Sequence, residues 1–242
     1  MQSSSVLSFS IAGRIPVSFL DWPGKLAYVV FSQGCNLSCP FCHNHGLIET
    51  KPSCLSVEDI VGDIRASGWG WIDGIVISGG EPAFQGEALA AFCSDLKKSL
   101  GLPIKLDTNG MYPEIVETLI DKSLVDFVAL DIKAPWDVVK YSRAAGRILD
   151  EYALNKIKRT FGLLLAGKIP HLIRTTVVPG LHTFSDIEEI WGYTRKADRY
   201  VLQDFCSEHA LDVKLREEKG YGLEVLDAWT SRLENKNGSY CL

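Results

Sequence analysis

Basic surplus is the first thing missing from this 242-residue chain: 25 Lys and Arg stand against 30 Asp and Glu, a net charge of −5. Without an excess of positive charge, binding to nucleic acid or to an anionic membrane surface is not expected. Long apolar runs are missing as well. The longest clear one, at 26–31, falls far short of the roughly 20 residues that span a bilayer. No positive charge precedes the stretch 3–10, and the first arginine is Arg14, so no secretory signal is expected and a cytoplasmic protein is. Repeats, low-complexity tracts and linkers are lacking too. The expectation is one domain, with its core at about 13–205 and a helical extension at about 206–242. Hydrophobic residues at 46% and charged residues at 23% exclude global disorder.

What the chain does contain is a recurring unit of short β-branched run, turn and helical stretch. Strands are expected at 26–32, 74–78, 103–107, 127–131, 171–177 and 200–205. Helices are expected at 56–66, 87–100, 113–122, 154–166, 185–196 and 223–235. Ser56 with Asp59 reads as a capping box, and Pro113 suits a first helical turn. Strands alternating with helices imply a parallel sheet, because parallel neighbours need crossovers. Periodicity leaves open whether that sheet is flat or a partial barrel. In either case ligands bind at the strand C-termini, where Glu81, Asp107, Asp131 and Lys133 fall.

Seven cysteines in a chain of this kind point to metal or reactive thiols rather than to a disulfide framework. Three of them, Cys35, Cys39 and Cys42, form a CxxxCxxC run directly after the first expected strand. Zinc prefers four closed ligands, which His43 or His45 could complete. An iron–sulfur cluster normally takes four cysteines, so three would leave one iron open to a substrate or cofactor. Both readings stand at this point.

Ser78-Gly79-Gly80-Glu81-Pro82 ends the second expected strand. Two glycines allow close backbone approach to a ligand, and the carboxylate beside them can hold an ammonium group. Asp107-Thr108-Asn109-Gly110 and Asp131-Ile132-Lys133 end the next two strands. Oxygen atoms from Asp107, Thr108 and Asp131 suit a hard cation, and Lys133 suits a carboxylate. As ordinary structure, these aspartates would be helix caps or Asx turns and Lys133 a solvated charge. Cys93 lies on an apolar helical stripe and reads as a packed small hydrophobe. Cys206, at a strand end, could line a site, whereas His171, His182 and His209 have no partners at ligand spacing.

The cysteine loop, with Phe41 before its last cysteine, resembles that of the radical S-adenosylmethionine superfamily. The resemblance implies a [4Fe-4S] cluster on Cys35, Cys39 and Cys42, with S-adenosylmethionine on the open iron. It also implies that Gly79, Gly80 and Glu81 bind the methionyl amino group. Reductive cleavage of the sulfonium would give a 5′-deoxyadenosyl radical, and the protein would position the cofactor and exclude water.

Further motifs narrow the likeness: Gly13-Arg14, Asp21-Trp22-Pro23-Gly24, Gln33-Gly34-Cys35, Cys42-His43-Asn44, Ile173-Arg174 and Val177-Val178-Pro179-Gly180. With the two aspartate motifs, they are similar to the glycyl-radical-enzyme activases, and most to the longer form of anaerobic ribonucleoside-triphosphate reductase activating protein. This resemblance implies a partial (β/α)6 barrel of TIM type and an oxidoreductase that abstracts a glycine α-hydrogen. It implies that Asp107, Thr108 and Asp131 lie by a monovalent cation and that Asn109, Lys133 and Arg174 contact the cofactor. Asp21 would lie near the incoming glycine loop. Implied partners are a glycyl radical enzyme, foremost anaerobic ribonucleotide reductase, and a flavodoxin- or ferredoxin-type electron donor. Only Cys54 lies between the cysteine loop and the Gly-Gly-Glu-Pro turn, so one cluster is expected. Pyruvate formate-lyase activases carry a histidine near the end of the sixth strand, where this chain has Phe205-Cys206. Alternatives are an activase of another glycyl radical enzyme, a radical enzyme of the 7-carboxy-7-deazaguanine synthase type acting on a small molecule, and a non-catalytic zinc module.

Overall fold

The computed structural model describes residues 8–53, 55–66 and 69–237; Cys54 and Cys241 lie outside them. Seven strands form one sheet in chain order: β1 (Ile11–Ser18), β2 (Ala27–Ser32), β3 (Gly74–Gly79), β4 (Ile104–Thr108), β5 (Phe127–Asp131), β6 (His171–Val177) and β7 (Tyr200–Asp204). From β2 onward every pairing is parallel. The helices are α1 (Val57–Ala66), α2 (Glu87–Leu100), α3 (Pro113–Asp121), α4 (Val138–Ala145), α5 (Glu151–Leu165), α6 (Phe184–Thr194) and α7 (Leu223–Asn237).

Each crossover advances by one strand, and right-handed crossovers then put all helices on one face of the sheet. The other face is the inside of an incomplete barrel whose edge strands, β1 and β7, remain unpaired with each other. Side chains alternate accordingly. Tyr28, Val30, Ile75, Ile77, Leu106, Val128 and Leu130 join the large core against the helices. Ala27, Val29 and Val76 face inward, where Trp22 packs on them with Phe31 and Phe127 beside it. Trp22 lies so close over Gly74 that a Cβ there would sit 2.7 Å from its ring. The β1–β2 loop therefore fills the lower interior and delivers its next-door residue, Asp21, to the space above.

Two elements depart from the sequence expectation of six strands and six helices. β1 is an additional, antiparallel strand; Gly13, Pro16 and an exposed middle give it none of the apolar pattern of a buried strand, and it is tolerated because it is an edge. α4 is a short helix between Pro135 and Gly146, capped by the Asp137 carboxylate accepting from Lys140 N at 2.8 Å. The helices that were expected keep their signals: Asp59 accepts from Ser56 N at 2.8 Å, and Pro113 begins α3. Cys93 is fully buried in α2, as its stripe implied. No helix among the described residues is long and apolar enough to cross a membrane.

Candidate active site

The cysteine loop leaves the C-terminal end of β2 and is fixed on three sides by its own backbone. Gly34 N donates to Leu47 O at 2.8 Å and Cys35 N to Ile48 O at 3.0 Å. Ser38 N donates to Ala145 O at 3.0 Å, at the C-terminus of α4, and Asp212 N donates to Pro40 O at 2.8 Å. Gly146 packs on this loop so tightly that a Cβ would meet Ser38 O at 1.9 Å. Leu37, buried, anchors the loop in the core. Cys39 is buried and Cys35 and Cys42 are half-buried, all three facing a cavity of about 480 Å³. The candidate cluster, cofactor and substrate-loop residues, from Asp21 to Arg174, all line this one cavity, whereas His45, a candidate zinc ligand, does not. Cys206 lines it too.

Burial pushes the Cys35 thiol up to about 11 and raises Cys39 and Cys42, while the Lys133 ammonium works against burial at all three. The three sulfurs thus sit dry beside a positive charge, which favours thiolates once a metal replaces their protons. Among the described residues no three His, Cys, Asp or Glu side chains converge on a point that could hold one ion. His43 turns its Nε2 to the carbonyl oxygen of Cys206 instead of to the thiols. One zinc ion, with Zn–S bonds of only about 2.3 Å, needs such a convergence; a cluster of several irons shares its thiolates among more than one metal.

The Gly79-Gly80 pair has a steric reason beside the close ligand approach read in the sequence. Both glycines back onto the β2 strand end rather than only onto the cavity. A Cβ on Gly79, at φ +112, would meet Ser32 N at 2.5 Å, and one on Gly80 would meet Gly34 O at 2.3 Å. Gly80 N donates to Ser32 O at 3.0 Å and Glu81 N to Gly34 O at 2.8 Å, which locks this turn to the start of the cysteine loop.

Glu81, expected to face an ammonium group, also has partners within the protein. It is 1% exposed, and it accepts from Thr108 Oγ1 at 2.7 Å, Asn109 N at 2.6 Å and Ala83 N at 3.1 Å. The carboxylate braces the end of β4 against the end of β3. Burial pushes its pKa up to about 7, against the three donors. Its Oε2 accepts one bond, from Asn109 N, and the residue lines the cavity.

Further along the rim, ion pairs link β4, β5 and β6. Arg174 Nε lies 2.8 Å from Asp131 Oδ1 and its Nη1 lies 3.3 Å from Asp107 Oδ2. These residues are brought together by register, Asp131 pairing with Arg174 across β5 and β6. Lys133 Nζ is 3.8 Å from Asp131 Oδ2 and 5.9 Å from the Phe41 ring centroid. Lys133 is no solvated charge: its side chain is 14% exposed. Burial works against its ammonium, but the charges of Cys39 and Asp131 outweigh that and raise its pKa. Burial also opposes ionisation of Asp131, yet Arg174 and Lys133 prevail and keep its pKa low.

Thr108, expected beside Asp107 and Asp131 as a cation ligand, instead turns its hydroxyl to Glu81. Sequence reasoning also missed Lys105, which is 1% exposed and donates to Asp107 Oδ1 at 2.5 Å and to the Asp21 carbonyl oxygen at 2.8 Å. The signal was available: a lysine in mid-strand, two residues before Asp107 and so on its face. Asn36 was missed as well; its Oδ1 accepts from Asn109 Nδ2 at 2.9 Å.

Comparison with known proteins agrees with this geometry. Residues 29–191 match the model of the radical SAM superfamily. A Methanocaldococcus jannaschii protein named as a glycyl-radical enzyme activating enzyme is 36% identical over 207 residues, 85% of this chain and 84% of that one. The pyruvate formate-lyase 1-activating enzyme of Escherichia coli K12 is 30% identical over 187 residues, 71% of this chain and 70% of that one. In fold the chain is similar to methylornithine synthase, with a TM-score of 0.55, 19% identity and coverage of 84% of this chain and 60% of that one. It is also similar to anSMEcpe with bound AdoMet, with a TM-score of 0.54, 18% identity and coverage of 72% and 50%. The loop of three cysteines, the incomplete barrel around it and the family match carry one conclusion: this chain belongs to the radical SAM superfamily.

Proposed function

We propose that this protein is an activating enzyme that takes a hydrogen atom from one glycine of a partner glycyl radical enzyme. Cys35, Cys39 and Cys42 would hold a [4Fe-4S] cluster, and S-adenosylmethionine would fill the cavity beside it. When bound and reduced by an electron donor, the cluster would supply one electron to the sulfonium, whose C5′–S bond would break with methionine leaving and give a carbon-centred radical able to accept a hydrogen atom. The chain's own residues bind and orient. Glu81 sets negative charge behind the place of the cofactor's ammonium, and Arg174 and Lys133 set positive charge for its carboxylate. Asn109 and the Gly79-Gly80 turn shape the wall between them, and Phe41 covers Lys133 on the cluster side.

The observation that carries this reading is that one cavity gathers the three thiols, the charged groups and Asp21. Phe19 and Leu20, the two residues before Asp21, are 77% and 90% exposed. That exposure suits a macromolecular loop arriving between the unpaired edges of the sheet. A glycine there offers an unhindered α-hydrogen, and its radical is stabilised by the flanking amide and carbonyl groups. Anaerobic ribonucleoside-triphosphate reductase is the partner we favour, on the motifs shared with its activating proteins, with a flavodoxin or ferredoxin as electron donor.

The test is anaerobic reconstitution with reductant, S-adenosylmethionine and that reductase, read by electron paramagnetic resonance. A glycyl doublet is expected. A doublet only with pyruvate formate-lyase, or another glycyl radical enzyme, reassigns the partner; cofactor cleavage with no doublet on any of them overturns the activase reading.

A further inference from the structure

The resemblance to the activases led to an added monovalent cation among Asp107, Thr108 and Asp131, and the arrangement of side chains does not fit one. Asp107 Oδ1 is 2.5 Å from Lys105 Nζ, and its Oδ2 accepts from Ser78 Oγ at 3.1 Å and meets Arg174 Nη1 at 3.3 Å. Asp131 is taken by Arg174 on one oxygen and faced by Lys133 on the other. The Thr108 hydroxyl donates to Glu81 Oε1 at 2.7 Å, and its oxygen accepts from Gly110 N at 3.1 Å. An alkali cation placed there would compete with Lys105 and Arg174 for the Asp107 and Asp131 oxygens.

Five charged side chains meet along this rim. Asp107 and Asp131 supply two negative charges, and Lys105, Arg174 and Lys133 supply three positive ones. These five side chains alone, before Glu81 and the three thiols are counted, carry a surplus of one positive charge. A further cation would add to that surplus beside three buried or half-buried protein cations, which repel it. Lys105 is the unusual member. An ammonium at 1% exposure is retained only where acceptors replace its water. Here they are one carboxylate oxygen and one main-chain carbonyl, from Asp107 and Asp21. Those are also the oxygen types that bind a monovalent metal ion.

We propose that Lys105 is a built-in cation of the cofactor site: its ammonium, bridging Asp107 and the Asp21 carbonyl, does with Arg174 what an added monovalent cation would do, so cofactor binding requires no such ion. This rests on the cofactor assignment made under Proposed function. Lys105 acts through Asp107 and is a positioning residue. By holding the Asp21 carbonyl it also ties the β1–β2 loop to the rim that receives the cofactor.

The test is calorimetric titration of S-adenosylmethionine into the anaerobic, cluster-loaded protein in tetramethylammonium buffer. Potassium, sodium or ammonium chloride is then exchanged in at constant ionic strength. For the unaltered protein the affinity is expected to change by less than about twofold. Lys105→Met is expected to weaken binding by about tenfold or more without small cations, with partial recovery in ammonium or potassium. Lys105→Gln, which keeps a hydrogen-bond donor without the charge, is expected to show the same cation response and serves if the Met variant does not fold. A tenfold gain in affinity of the unaltered protein on adding potassium overturns the proposal whatever the variants do, as does a folded Lys105→Met that binds as tightly as its parent. Absence of binding in every salt overturns instead the cofactor assignment on which the proposal rests.

Discussion

The His182 imidazole Nε2 lies 2.8 Å from the main-chain carbonyl oxygen of Lys133, while its Nδ1 accepts from Val178 N at 2.9 Å. These partners fix the tautomer with the proton on Nε2. The ring therefore pins the residue after β5 that carries a cavity ammonium to the turn after β6. It is 1% exposed, although in the sequence it has no partner at any recognisable spacing.

Burial lowers the His182 pKa from its ordinary 6.5. Below that value the unfolded chain takes up a proton that the folded chain refuses, so stability falls as pH drops through this window and is restored above it. Thermal melts from pH 7.5 downward are expected to show this acid loss, and His182→Gln to reduce it. His182→Ala, which orphans both main-chain partners, is expected to cost about 1–3 kcal/mol at neutral pH.

Glu81 titrates in the opposite sense. With its pKa raised from 4.5 to about 7 by burial, the folded chain keeps a proton that the unfolded chain has lost between those values. Its contribution to stability therefore declines as pH rises toward 7 and is constant above. Cofactor binding runs the other way, because an ammonium seeks the ionised form. Affinity for S-adenosylmethionine is expected to rise with pH through about 7, and Glu81→Gln to flatten that profile; a parent profile already flat contradicts the assignment.

Cluster chemistry and folding are separable here. Cys39 lies among core residues, but the core as a whole is built from the sheet and its helices. Cys39→Ala is expected to abolish iron binding and the absorbance near ~400 nm while leaving the circular dichroism of the cluster-free protein unchanged. Zinc without iron in oxygen-free preparations of the parent protein would refute the cluster.

Gly80→Ala drives a methyl group to 2.3 Å from Gly34 O. Main chain rather than a flexible side chain stands in the way, so the turn must move away from the cysteine loop. A loss of stability of about 1–3 kcal/mol is expected, together with poorer iron retention. Gly13→Ala, which meets nothing within 4 Å, is the control.

Leu20 is 90% exposed and stands next to Asp21, so it has little to contribute to the fold of the free protein. Leu20→Ser is expected to leave the melting temperature and cofactor affinity within error. It is expected to raise the partner concentration needed for half-maximal glycyl radical formation several-fold. An unchanged partner dependence places the docking surface elsewhere.

The sequence by itself determined that β2–β7 run parallel, because apolar runs separated by helical stretches need crossovers; their order in the sheet it did not. It also determined the thiol trio and the polar strand ends, since both are local: Cys35 to Cys42 is one loop, and Asp107 and Asp131 end strands whose bounds are readable. It could not show β1, an exposed edge without apolar alternation, nor the burial of Lys105, Lys133 and His182. Those depend on which groups from distant strands meet inside the curled sheet. Register across β4, β5 and β6 sets Arg174 between two aspartates, and a folded-in loop brings the Asp21 carbonyl to Lys105. Only the tertiary structure decides such pairings, because the free energy of a buried charge is set by its neighbours in space, not along the chain.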